Sequence, residues 1–265
     1  MGFSPFFVYT VFSPLMEISI AAEKLFSIGT FPVTNALLVG VLVSLFLIIL
    51  SQLVRKNMQL VPRGLQNIFE IIFEALLDLI ESVTQDKKQA LKFFPLVATI
   101  FLFVLISNWA GLLPGLGTVG LTHESEGHAT IIPFLRSASA DLNFTLALSL
   151  ITVITIQVTG IAALGAVRYG KKFLVSPFHK PYVIGTLVGI LELVSEIGKT
   201  ISFTFRLFGN VFAGEVLLTV MLHLVPYILP LPFLFLEIFV GFIQAVVFAM
   251  LTLVFLKMST VEMEH

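Results

Sequence analysis

Five stretches of this chain are apolar for about twenty residues or more, and they restrict what it can fold into. A helix rises 1.5 Å per residue, so about 20 apolar residues cross a hydrocarbon layer ~30 Å thick. The stretches run from about Thr34 to Val54, near Phe93 to "SNWAGLLPG", about Leu142 to Val167, about Val183 to Leu224 and about Pro232 to Leu256. The fourth, if wholly helical, is roughly twice the layer's thickness, so it must tilt, bend or protrude. No polar stretch is long enough to enclose a core of its own. Only 12% of the residues are charged, against about 25% in a soluble domain, and 57% are hydrophobic. The expectation is an all-α integral membrane protein, one domain over residues 1–265. Its parts are an outward N-terminal segment over about 1–33, five spans, and a long, tilted antiparallel hairpin over about 183–257.

Between the first two spans lies "RGLQNIFEIIFEALLDLIESVTQDKK". Glu70, Glu74, Asp78, Glu81 and Gln85 recur at helical spacing on one stripe, with Ile, Leu and Phe around the rest. This predicts an amphipathic helix over about 62–86 rather than a sixth crossing. Its acidic face favours packing on protein over anionic lipid, which attracts basic faces.

Charge placement orients the chain. Arg55, Lys56, Arg63, Lys87, Lys88, Lys92, Arg168, Lys171, Lys172, Lys180 and Lys257 all fall on one side of the five spans. Lys24 and Arg136 fall on the other, and Lys199 and Arg206 lie within a span. The basic side is the cytoplasmic one, so the N-terminus and the loop with "HESEGH" face outward and the C-terminus faces the cytoplasm. The absence of cysteine excludes thiol catalysis, thiolate metal sites and disulfides. A net charge of −1 argues against a nucleic-acid partner. The first residues lack the pattern of a secretory or transit signal, and Phe6 stands where a myristoylation signal needs Ser or Thr.

Several motif-like strings carry no chemistry. "GLGTVG", residues 115–120, follows a membrane span rather than a strand, so a turn explains it better than a dinucleotide site. His123 and His128 stand five apart across a glycine, where a zinc helix needs four, which leaves a solvated outer loop. Ser195 and Lys199 have no oxyanion motif beside them and read as polar residues at a helix contact.

The ionisable residues inside the spans are different. Glu192, Glu196, Lys199, Arg206 and Glu215 lie in the fourth and Glu237 in the fifth, each costing at least about 2.5–3.5 kcal/mol on insertion scales. Glu196 and Lys199, three apart, can serve each other. Arg206 has Ser202, Phe203, Gly209 and Asn210 as its helical neighbours and no acid among them. At 100° per residue Glu192, Lys199, Arg206 and Asn210 fall within about 40° of one another, while Glu215 points about 180° from Arg206 and lies roughly 13 Å along the axis. Folding the last two spans back at "LVPYILPLP" puts Glu215 level with Glu237 and Arg206 level with Gln244. Two carboxyls that close would share a proton and titrate as a pair.

"RLFGNVFAGE" and "FIQAVVFAMLTLVFL", with "SNWAGLLPG", "SADLNFTLALSL" and "LELVSEIGKTIS", resemble the a subunit of rotary F-type ATP synthases. The likeness covers about Pro62 to the C-terminus. It implies a membrane stator beside a rotating ring of c subunits, with peripheral-stalk b subunits and the ATP-hydrolysing head as further partners. It implies no cofactor, no metal and no hydrolytic activity of the chain itself. Arg206 matches the family's essential arginine, which holds the passing ring carboxylate and separates two offset half-channels. Glu215 matches a proton carrier of the outer half-channel, Asn210 and Gln244 the arginine's polar neighbours, and Glu192, Ser195 and Lys199 positions towards the cytoplasmic exit. Asn108, Asp141 and Asn143 fall on polar positions near the outer entrance. Glu237 stands where some members carry histidine, and His223 lies near the outer end of the fourth helix. A bacterial plasma membrane is the expected location. The rival readings are a sodium-coupled stator, a free-standing secondary transporter, which should show repeat symmetry about its midplane, and an intramembrane hydrolase using Ser195 or Ser202 with His223.

Overall fold

The computed structural model describes residues 22–56, 58, 59, 61, 64–113, 120–125, 128–133, 136–171, 182–225 and 228–260. Strands β1 (Lys24–Ile28) and β2 (Phe31–Thr34) form a small antiparallel hairpin that leads into helix α1 (Asn35–Lys56). Helices α2 (Leu65–Thr84) and α3 (Lys87–Ala110) follow, then a second hairpin of β3 (Gly120–Ser125) and β4 (His128–Pro133). A 3-10 turn (Ala138–Ala140), α4 (Leu142–Leu164), the short α5 (Ala166–Lys171), α6 (Tyr182–Leu224) and α7 (Pro230–Thr260) complete the chain.

Five of these helices, α1, α3, α4, α6 and α7, are long and apolar enough to cross a membrane, and the protein is all-α, with two local hairpins among the described residues. The amphipathic helix is α2. Leu76 and Ile80 are buried against α3 and α7, while Glu70, Glu74 and Asp78 face outward. It packs on protein, as its acidic stripe suggested.

Helix ends differ from the hydropathy limits because polar groups set them. The second crossing starts at Lys87, six residues ahead of Phe93, since the Asp86 side chain accepts from the Lys88 amide at 2.9 Å and caps the helix. The third stops at Leu164, where Gly165 takes φ 84°, a left-handed angle that ends the helix before α5 begins. The hairpins were not anticipated. Each is a short local pairing of strands four to six residues long, and such lengths leave almost no periodic signal. The "GLGTVG" run lies, except for Gly120, outside the described residues, and so do residues 1–21.

Helix α7 is the centre of the bundle, packing on α3, α6, α4 and α2. Its inward face carries Gly241, Ala245 and Ala249 between Phe248, Leu253 and Leu256, so neighbouring backbones approach closely, the packing device that lipid-embedded helices use. Phe203 of α6 locks onto it, with ring centroids 4.7 Å from Phe248 and 5.8 Å from Phe255. Helix α1 touches mainly α3 and the 3-10 turn and exposes Leu42, Phe46 and Ile49.

Candidate ion-translocation site

Helices α6 and α7 run antiparallel in one register. The Glu237 carboxyl lies against Gly214, Asn210 donates to Gln244, Phe203 faces Phe248, and the Lys199 ammonium lies 5.0 Å from the Phe255 ring centre. A side chain at 214 would land inside the Glu237 carboxyl, so glycine leaves the notch in which that acid sits. Glu237 is only 7% exposed. Asn210 Nδ2 meets Gln244 Oε1 at 2.6 Å, and Gln244 is buried between the helices.

Arg206 stands apart from this seam. Among the described residues its guanidinium donates one hydrogen bond, from Nη2 to Ser202 Oγ at 2.9 Å, within its own helix. It borders an open groove of about 360 Å³ lined also by Ser195, Gly198, Lys199, Ser202 and Phe255. The surrounding flank of α6 exposes Leu191, Val194, Ile197, Ile201 and Phe205, and a Cβ on Gly198 or Gly209 would meet nothing within 4 Å. An apolar, glycine-notched flank with one guanidinium is therefore uncovered.

At the Glu215 end most polar groups are buried, although the Glu215 carboxyl keeps partial exposure. Arg136, just before the 3-10 turn, donates from Nε to Glu215 Oε1 at 2.9 Å and from Nη2 to Glu215 Oε2 at 3.0 Å, a fork-on-carboxylate geometry. Residues 136–141 are all buried, with Ser137 Oγ donating to the Ser107 carbonyl at 3.1 Å and Gly111 pressed against Ser137. Irregular backbone so enclosed beside membrane-length helices is tolerated where protein covers it or it lines a wet cavity. Nearby, Asn108 donates to the Gly241 carbonyl at 3.1 Å, and Trp109 donates to the Ile238 carbonyl at 3.0 Å. Among the described residues Ser107 Oγ, Asn108 Oδ1, Ser139 Oγ and Gln244 Nε2 are buried with no hydrogen-bond partner. Glu23 approaches this group from the segment before β1, where burial pushes its carboxyl above the ordinary range, against the pull of Arg136 and with a further push from Glu215.

At the Glu192 end, Lys199 pairs with Glu196 at 2.6 Å. Tyr169 of α5 is buried, donates its hydroxyl to Gln157, and is pushed up to about 12 by burial, then by Glu196 and Glu192. Ser195 is exposed towards the groove.

The sequence-nominated residues thus fall into different settings. Arg206, Ser195 and Lys199 share the groove, and Asn210 and Gln244 share one hydrogen bond. Glu215 and Glu237 lie at one level, but Arg136 occupies the Glu215 carboxyl. Asp141 caps α4 by accepting from the Asn143 amide at 3.1 Å, and Asn143 is itself exposed. His223 is exposed on the last turn of α6, and Glu192 is half-buried at the other end. At least 21 residues of continuous helix, ~30 Å, separate His223 from Ser202 or Ser195, which removes the proposed serine–histidine pair. Sequence reasoning overlooked Arg136, Glu23 and Tyr169. Arg136 and Glu215 are 79 positions apart, and no local pattern links them.

A part-buried polar seam between two long terminal helices, with a guanidinium on the open flank, defines a class: a multi-pass membrane protein built around an intramembrane polar array. The family model described as "ATP synthase A chain" matches residues 34–257. An "ATP synthase subunit a" of Campylobacter jejuni is 35% identical over 254 residues, covering 96% of this chain and 97% of that protein. One from Syntrophobacter fumaroxidans is 31% identical over 260 residues, covering 98% of each. The chain belongs to the ATP synthase subunit a family and is a membrane subunit of that multi-subunit complex.

Proposed function

We propose that this chain is the proton-translocating stator of its ATP synthase, sitting in a bacterial plasma membrane with its N-terminus outside and its C-terminus cytoplasmic. Two offset half-channels deliver protons to and from the carboxylates of a rotating c-ring, with Arg206 between them. The observation that carries this reading is Arg206, whose one hydrogen bond among the described residues goes to Ser202 while it faces an open, glycine-notched groove. An intramembrane cation with no acid among its helical neighbours Ser202, Phe203, Gly209 and Asn210 needs a countercharge, and a ring carboxylate passing along that flank supplies it. The b subunits and the ATP-hydrolysing head complete the machine.

The outer half-channel runs past Glu215, Glu237 and Asn108. The buried hydroxyl and amide atoms of Ser107, Asn108, Ser139 and Gln244 mark it, because such atoms are normally satisfied by protein or by water. The other half-channel leaves by the groove past Ser195, Lys199 and Glu192. Asn210 and Gln244 hold the two helices in register beside the arginine. Asp141 and Asn143 shape the outer end through the cap they form.

Purification of the complex followed by reconstitution tests this directly. A small two-helix proteolipid with one mid-membrane acid should come with the chain, and ATP should acidify the vesicle interior equally with and without sodium. Transport that requires sodium would replace the proton reading with the sodium-coupled one, and a chain that transports ions alone would replace the stator reading.

A further inference from the structure

Arg136 has no part in the half-channel scheme, yet it is among the best-buried charges of the chain, at 7% exposed. Its guanidinium reaches both Glu215 oxygens, with Nε also 3.1 Å from Oε2. Among the described residues three acids gather around this ion pair from three elements. Glu215 comes from α6, Glu237 from α7 within range of Glu215's charge, and Glu23 from the segment before β1 within range of both Arg136 and Glu215. Asp141, at the start of α4, is committed to its cap. Glu23 is anchored as its carbonyl accepts from the Asn35 amide at 3.1 Å, and its Oε2 is buried with no hydrogen-bond partner among the described residues. Among the described residues the cluster therefore holds more acid than base at the end of the bundle where protons would enter.

We propose that Arg136 is a positioning residue of the outer half-channel, fixing the Glu215 carboxyl in place, and that Glu23 closes the same cluster as an acid supplied by the N-terminal segment. The inference rests on the stator reading and adds two residues to it. A fork on both carboxylate oxygens holds Glu215 in one orientation, which a point charge cannot do. The surplus of acid draws a proton in from outside, and Arg136 keeps that surplus from becoming mutual repulsion. The N-terminal segment thereby becomes part of the path.

The test uses the whole complex in proteoliposomes, scoring ATP synthesis after an acid–base jump. Arg136→Gln should lower the rate about tenfold or more, as misplaced transfer groups do. Arg136→Lys, which keeps the charge and loses the fork, should fall between that variant and the original. Arg136→Gln combined with Glu23→Gln should recover severalfold over Arg136→Gln alone, because removing an acid rebalances the cluster. A full rate in Arg136→Gln overturns the proposal. So does a double variant no better than the single one, which would make Arg136 a packing residue. If Arg136→Gln does not assemble, Glu23→Gln decides, and it should move the midpoint of rate against outer-side pH down by about half a unit or more. An unchanged midpoint overturns the proposal. Arg206→Ala, run alongside, separates the two ideas: coupled transport surviving there removes the stator reading whatever Arg136 does.

Discussion

Single side chains carry the site, and Gly214 shows how little room they have. Any Cβ there would occupy the Glu237 carboxyl, so Gly214→Ala should lower ATP-driven proton pumping about tenfold in an assembled complex. Glu237→Asp in the same chain, one methylene shorter, should restore part of it, and equal pumping by Gly214→Ala alone would show that the notch does not matter. Gln244→Ala removes the acceptor for the exposed Asn210 and should cost the complex about 0.5–1.5 kcal/mol, read as a lower Tm. Glu23 gives a pH dependence with a definite sign. Burial raises its carboxyl, so the folded state binds that proton more readily than the unfolded one, and stability falls as pH rises past the ordinary carboxylate range. Glu23→Gln should flatten that fall in a thermal-melting series. At this scale the sequence was half legible. The hairpin register anticipated Glu215 level with Glu237, because that relation lies within two adjacent helices, but it set Arg206 beside Gln244, which instead bonds Asn210 one turn on. Arg136 was hidden, because a buried ion pair across 79 positions is a product of the fold.

Elements were legible where length and hydropathy speak and illegible where a cap or a turn decides. All five crossings follow from the cost of leaving backbone groups unpaired in lipid, which admits a helix and little else. Their ends depend on Asp86, Asp141 and Gly165, single residues whose effect is local. Asp86→Ala should destabilise the start of α3 by about 1 kcal/mol, seen as faster amide exchange over residues 87–90. Gly160 lets α4 approach two neighbours, since a Cβ there would meet the Tyr169 ring and come within 3.0 Å of the Ser259 carbonyl. Gly160→Leu should therefore push α5 and the end of α7 away from α4 and reduce assembly of the complex, measured by how much of the chain co-purifies. The two β-hairpins escaped detection because strands of four to six residues are too short to show a period.

The whole molecule joins these scales. A central α7 fixes α6, and α6 presents one flank to its own bundle and the other, with Arg206, to whatever passes outside. That division explains how one helix bears an acid paired within the bundle at Glu215 and a base facing the groove at Arg206: they belong to different surfaces, nine residues apart. The central claim is that Arg206 couples ion flow to the ring and blocks a direct leak between the half-channels. ATP-driven proton pumping by the reconstituted Arg206→Ala complex tests it most directly. Pumping should vanish although the complex assembles and its head still hydrolyses ATP. Pumping retained at the original rate would contradict the account.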